Sequence, residues 1–266
     1  MNIEDVQKHR DHREISIDHV GITDIRWPIV VLDRERGEQQ TVATFLMSVD
    51  LPKEFKGTHM SRFVTILSDY AHAITAERMP IIIREIQKRL EAEKAHMEVR
   101  FPYFVAKRAP STGALSLMDF ECGFLISAEG DNLDFVLEAT VPVTSLCPCS
   151  KAVSDYGAHN QRGYITIKVR PRKVNGNLFE HIWLEELIAI AEASGSAPIY
   201  PLLKRQDERH VTMAAYDNPV FVEDMVRNAA VRLRADERVQ WYEVSAVNDE
   251  SIHNHKAFAV TTWERP

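Results

Sequence analysis

Apolar residues along this chain fall into short β-branched and aromatic runs, broken by stretches in which they recur every three or four positions. Residues 22–32 and 41–51 (TVATFLMSVDL) are runs of the first kind on either side of a charged segment, 34–40, and predict a hairpin. Residues 59–73 and 75–93 predict helices. In the second, Ile82, Ile86 and Leu90 repeat at helical spacing beside Arg, Glu and Lys, and Pro80 sits near the start, where its missing N–H is tolerated. Two more strands follow at 96–106 and 115–128, separated by the breaker-rich 108–113. The order is ββααββ.

That order occurs a second time. Residues 133–146 and 164–170 predict strands, 181–193 and 219–236 predict helices, and the alternating runs 239–247 and 257–263 close the chain. Pro219 suits a first helical turn, and Phe221, Met225, Ala229 and Leu233 lie four apart. No residue-level repeat accompanies the topological one. The expectation is an α+β protein of two tandem modules, 21–130 and 131–266, joined near residues 129–132. Residues 1–20, dense in charge and His, are read as an arm, loose or ordered only by docking elsewhere.

Composition narrows the function. With 32 Lys+Arg against 39 Asp+Glu, a net charge of −7 argues against a general nucleic-acid coat, whose affinity comes from basic excess. No apolar stretch approaches the roughly 18 to 20 residues a membrane helix needs. The start lacks the basic and apolar regions of a secretory signal, so a reducing compartment, the cytoplasm, is expected for the three cysteines.

Two of those cysteines lie in 144–151 (TSLCPCSK), with His159 shortly after. Pro148 biases Cys147 towards extended backbone. If the run stays extended, Cys147 and Cys149 share a face with Cα atoms roughly 6.5 Å apart, too wide for both thiolates to meet one ion. One as ligand and one as neighbour follows. Buried small hydrophobes or half of a structural zinc site are the alternative, but no second Cys pair exists, since Cys122 stands alone in a strand. Thiolate and imidazole suit a borderline divalent metal. Further on, Glu250, His253 and His255 offer ligands or proton donors, or a solvated polar turn. The run 203–210 is an exposed charged connection, or else Glu208 supplies an oxygen ligand while Lys204 and Arg205 meet an anion. Glu223 compensates a helix dipole or accepts a ligand's N–H pair. In module one, Thr58 or Ser61 suits an N-cap, with His59 and Arg62 beside them.

Six ordered segments, GTHMSRF (57–63), PVTSLCPCSK (142–151), YGAHNQR (156–162), LLKRQDE (202–208), AYDNPVFVEDMVR (215–227) and ESIHNH (250–255), resemble the type IB GTP cyclohydrolase family over nearly the whole chain. The one departure noted is Gln206, where the family pattern has proline. The resemblance implies the tunnelling fold, two ββααββ modules in tandem whose antiparallel sheets close into barrels by oligomerisation, here to a homotetramer. It implies a hydrolase acting on a cyclic amidine C–N bond, converting GTP to dihydroneopterin triphosphate and formate in the folate pathway. Carried over by position, Cys147, His159 and Glu208 hold a divalent metal (Zn, Mn or Fe), and Glu223 anchors the purine edge. Glu250, His253 and His255 lie near the reaction centre, with Cys149 as the neighbouring thiol.

The chemistry is coherent. Attack at C8 of guanine needs a hydroxide equivalent, which a metal with an open position provides. Ring opening and reclosure need proton transfers, for which His253 and His255 are agents. Lys204, Arg205, Arg62 and Lys151 are candidates for the triphosphate. Two alternatives stay open: a nitrile reductase of the same fold using Cys147 as nucleophile, and a purine- or metal-binding protein without turnover.

Overall fold

The computed structural model describes residues 7, 9–70, 75, 78–174 and 178–266. Its chain divides into two compact units. One contains the chain up to Phe101 together with Gly123–Val136, the other Pro102–Cys122, Leu137–Val174 and Phe179–Pro266.

In chain order the first elements are β1 (Ile17–Asp33), β2 (Gly37–Leu51), α1 (Met60–Asp69), α2 (Met79–Leu90), β3 (Lys94–Arg108) and β4 (Leu115–Glu129). This is the expected ββααββ order; the parts of the predicted helices at 71–74 and 76–77 lie outside the described residues. Strands β1, β2 and β3 pair antiparallel, with Phe45 opposite Val99 and Met47 opposite Met97. Because side chains alternate across a strand, this register gathers Ala43, Phe45, Met47, Val49, Ala95, Met97 and Val99 on one buried face. Phe63, Ile66 and Leu67 of α1 and Met79, Ile82, Ile83 and Ile86 of α2 are buried in the same unit. Helix α1 is capped by the backbone of His59, with no side-chain cap, so neither Thr58 nor Ser61 has that part. Ser61 sits inside the first turn, where its carbonyl accepts from Thr65 Oγ1 at 3.0 Å. The region read as an arm is tied down where described. The Lys56 amide donates to the His9 carbonyl at 3.1 Å, the Asp11 amide to that of Glu54 at 3.2 Å, and β1 already begins at Ile17.

The remaining elements are β5 (Asn132–Leu146), α3 (Pro148–Val153), β6 (Asn160–Pro171), α4 (Leu184–Glu192), β7 (Ala197–Pro198), α5 (Arg205–Asp217), α6 (Val222–Ala235), β8 (Val239–Asn248) and β9 (Ala257–Glu264). Strands β5, β6, β8 and β9 pair antiparallel in that order, and β7 pairs with β5. One face of this sheet buries Val141, Val143, Ile165, Ile167, Val244 and Ala246, and the unit's helices bury Leu187, Ala191, Met225, Ala229 and Leu233. Strand β9 carries exposed Phe258 and Val260.

Two local expectations are corrected. The run 203–210 is no open connection: it opens α5, whose apolar stripe is too thin for periodicity to betray, since only Asp207 and Ala215 are buried in it. Helix α6 starts at Val222, after Pro219. Phe221 caps it from outside and is exposed, and the buried stripe of the helix starts with Val222 and Met225. Among the described residues no helix is long and apolar enough to cross a membrane.

Candidate active site

Strands β5 and β6 pair with Leu146 opposite Asn160, and the ladder runs one step further: the Cys147 amide donates to the His159 carbonyl at 3.1 Å. The two candidate ligands thus sit opposite one another at the strand ends. Cys147 is extended, at φ −70° and ψ 118°, as the following proline requires. Pro148 then opens α3, since proline's fixed φ and missing N–H suit a first turn. Sγ of Cys147 accepts the Ser150 amide at 3.4 Å. The extended Cys-Pro-Cys run therefore ends at its first residue. Cys149 rides on the helix and is exposed. Cys122 is buried in β4, where burial, the largest cause, together with the nearby Glu185 carboxylate pushes its thiol far above the usual range.

His159 is held from several directions. Its amide donates to Ser150 Oγ at 3.2 Å, and its Nδ1 lies 2.7 Å from Gln161 Oε1. Glu250 Oε2 is 4.0 Å from the same nitrogen, both side chains being 12% exposed. Behind them lie Ser145, Gln161 and Asn248, all buried: Gln161 Nε2 and Asn248 Nδ2 donate to Ser145 Oγ at 3.4 and 2.9 Å. Gly163 leaves room for this cluster, since a Cβ there falls 2.6 Å from Asn248 Oδ1. The sequence reading missed all three polar residues. Their only signal is register, which sets Ser145 opposite Gln161 on a face otherwise apolar.

The approach to α6 is fastened to the end of β5. The Val220 amide donates to the Leu146 carbonyl at 3.1 Å, Ser145 Oγ donates to the Val220 carbonyl at 3.5 Å, and Asn218 Nδ2 donates to the Gly195 and Ser196 carbonyls at 3.1 Å. Glu223 follows in the first turn of α6 and is exposed. Lys151 is committed locally, donating to the Tyr216 carbonyl at the end of α5 with its ammonium 4.1 Å from the Tyr216 ring centre.

At the other end of α5, Lys204 is the capping residue and Arg205 the first helical one; Lys204, Arg205 and Glu208 are all exposed. What fixes this end is Asp207, unmarked in the sequence reading because its partners are far along the chain. It is fully buried and accepts from the amides of Ser111, Thr112 and Lys204 at 2.8, 2.9 and 2.9 Å and from Thr112 Oγ1 at 2.7 Å. Burial opposes the charge, but these hydrogen bonds outweigh it and hold the carboxyl well below the ordinary range.

His253 and His255 lie exposed in the bend between β8 and β9. They are not in an extended segment; their rings stack at 4.9 Å and 17°. In the first unit Arg62 has partners of its own, donating to the Arg89 carbonyl and lying 3.9 Å from Glu91 Oε1.

The structure thus brings Cys147, His159 and Glu250 to one strand end. Among the described residues no three His, Cys, Asp or Glu side chains are grouped so as to hold a metal, and Glu208 does not join the pair. The donor chemistry of the pair itself fits: thiol and imidazole suit a borderline metal, and with Nδ1 occupied by Gln161 the ring offers Nε2.

The model of the type I GTP cyclohydrolase folE2 family matches residues 3–259. The GTP cyclohydrolase FolE2 of Nitrosococcus oceani is 53% identical over 263 residues, covering 99% of this chain and 96% of its own. That of Geobacter sulfurreducens is 52% identical over 261 residues, covering 98% of each. Among solved structures, urate oxidase from Bacillus subtilis superposes with a TM-score of 0.54 at 9% identity, over 94% of this chain and 99% of that one. Uricase from Arthrobacter globiformis gives 0.53 at 9%, over 93% of each. At such identity these two speak for the fold alone, which is the tunnelling fold expected from the sequence. The full-length likeness to the FolE2 sequences carries more: this chain belongs to the type I GTP cyclohydrolase FolE2 family.

Proposed function

We propose that this protein is a metal-dependent GTP cyclohydrolase of type IB, which turns GTP and water into 7,8-dihydroneopterin triphosphate and formate at the head of tetrahydrofolate synthesis. The observation that carries this reading is the cross-strand pairing of Cys147 with His159, backed by Gln161 and Glu250, in a chain of this family. Cys147 and His159 would hold the metal, and Glu208, which stands apart from them in this structure, would have to move in from the start of α5 to serve as third ligand; Zn, Mn and Fe all suit such mixed ligation. When bound, the metal supplies Lewis acidity for hydration at C8 of guanine.

The chain's own residues do the rest. Glu223 accepts the guanine N–H pair and orients the base. Glu250, next to His159, and His253 and His255 carry protons through ring opening, loss of formate and reclosure. Lys204, Arg205, Arg62 and Lys151 balance the triphosphate, the last two by giving up their present partners. Cys149 is the neighbouring thiol on α3. The site belongs to the second module, 131–266, following a first module, 21–130, and the arm, 1–20. The working form is a homotetramer in the cytoplasm; association with another copy is supported by the exposed outer strand β9, whose Phe258 and Val260 call for covering.

The test is to incubate metal-reconstituted protein with GTP and follow formate together with a fluorescent pterin after oxidation. Both are expected in equal amounts. Formation of neither with Zn, Mn or Fe present overturns the reading.

A further inference from the structure

We propose that Asn248, Ser145 and Gln161 are positioning residues that hold His159 in the tautomer with its proton on Nδ1, presenting the Nε2 lone pair outward. The functional meaning rests on the reading of His159 as a metal ligand; the geometry does not.

The argument starts at the buried end. Asn248 is 2% exposed, its Nδ2 donates to Ser145 Oγ at 2.9 Å, and its Oδ1, lying toward Gly163, has no hydrogen-bond partner among the described residues. Turning this amide over buries an unmet N–H in place of an unmet carbonyl oxygen, and orphaned N–H groups are the rarer of the two in folded proteins. Ser145 Oγ therefore accepts from Asn248. The hydroxyl proton of Ser145 points to the Val220 carbonyl at 3.5 Å, which leaves its second lone pair for Gln161 Nε2 at 3.4 Å.

Gln161 is then fixed with its oxygen toward His159. Oε1 lies 2.7 Å from Nδ1, and an amide oxygen only accepts, so the proton sits on Nδ1. A second acceptor agrees: Glu250 Oε2 stands 4.0 Å from the same nitrogen. Both oxygens near Nδ1 are acceptors, Gln161 Oε1 within hydrogen-bond distance and Glu250 Oε2 beyond it. A free histidine side chain prefers its proton on Nε2, where a metal cannot bind, so the three buried residues reverse the intrinsic preference before any ligand arrives.

The experiment uses full-length protein, stripped of metal by a chelator and labelled with ¹⁵N-histidine, at a pH where the imidazoles are neutral. Two-bond ¹H–¹⁵N correlations report the tautomer, and His159→Ala identifies the signal. The wild type is expected to show Nδ1–H at His159. Gln161→Leu is expected to move it to Nε2–H and to weaken Zn²⁺ binding about 10- to 100-fold, the usual cost of losing a group that orients a ligand. Gln161→Glu, which keeps an acceptor oxygen, retains Nδ1–H and most of the affinity. Nε2–H in the wild type, or Nδ1–H persisting in Gln161→Leu, overturns the proposal. If Gln161→Leu does not fold, the wild-type tautomer decides. If the tautomers behave as stated but His159→Ala binds Zn²⁺ as tightly as wild type, the ligand role falls and the positioning role stands.

Discussion

Cys147 and His159 are neighbours by backbone before they are neighbours by chemistry. The amide of the first donates to the carbonyl of the second at 3.1 Å, one step beyond the Leu146 and Asn160 pair. Their backbones are set opposite one another by the β5 and β6 ladder, and Ser150 of the helix α3 between them touches both, its amide donating to Cys147 Sγ at 3.4 Å and its hydroxyl oxygen accepting from the His159 amide at 3.2 Å. A thiol and an imidazole placed this way are organised before a ligand binds, which is what a metal site on strand ends requires.

Cys147→Ala is expected to abolish turnover and remove most of the bound metal while leaving the far-ultraviolet circular dichroism and unfolding midpoint close to wild type, because the residue is only partly buried. Metal analysis of the purified variant is the check. Full metal content with activity lost points to a nucleophile in place of a ligand.

Glu223→Gln is expected to weaken GTP binding by about 10- to 100-fold, since a charge-assisted pair of N–H bonds is worth roughly 1.5 to 3 kcal/mol. Metal content should not change. Equal GTP affinity in wild type and variant reduces Glu223 to helix-terminal charge.

Asp207 makes stability sensitive to acid. Its folded carboxyl titrates below the ordinary value of 3.8, so the unfolded chain takes up its proton first as the pH falls. The stabilisation is complete above that value and is lost as the pH drops from about 4 toward the folded value. Thermal midpoints between pH 3 and 7 should fall steeply below pH 4 in the wild type. In Asp207→Asn they should start lower and fall less; parallel curves for the two proteins contradict this.

Assembly is tested by complementation. Cys147→Ala and Arg62→Ala, each inactive alone, are mixed under dissociating conditions and reassembled; partial recovery of activity is expected if the Arg62 of one copy serves the metal site of another. A fully active monomer, by light scattering and assay at one concentration, excludes shared sites.

The sequence by itself determined the ββααββ order of the first six elements and, in the second half, the strands β5, β6, β8 and β9 and the helices α4 and α6, because strand and helix periods are local and the apolar content of each of those runs is high enough to read; α3, β7 and α5 are additional to it. It also determined the family, and with it the identity of the thiol, imidazole and carboxylates proposed for the chemistry, since TSLCPCSK and its companion segments are carried in the primary structure. Tertiary structure decided what depends on partners distant in the chain. The start of the helix at 205–217 is anchored through Asp207 to Ser111 and Thr112, a contact that no apolar periodicity announces. Arg62 is engaged by Arg89 and Glu91, and Lys151 by Tyr216, through contacts across folded elements that spacing does not encode. Ser145, Gln161 and Asn248 read as ordinary strand residues until register places them behind His159, where burial makes every hydrogen bond count.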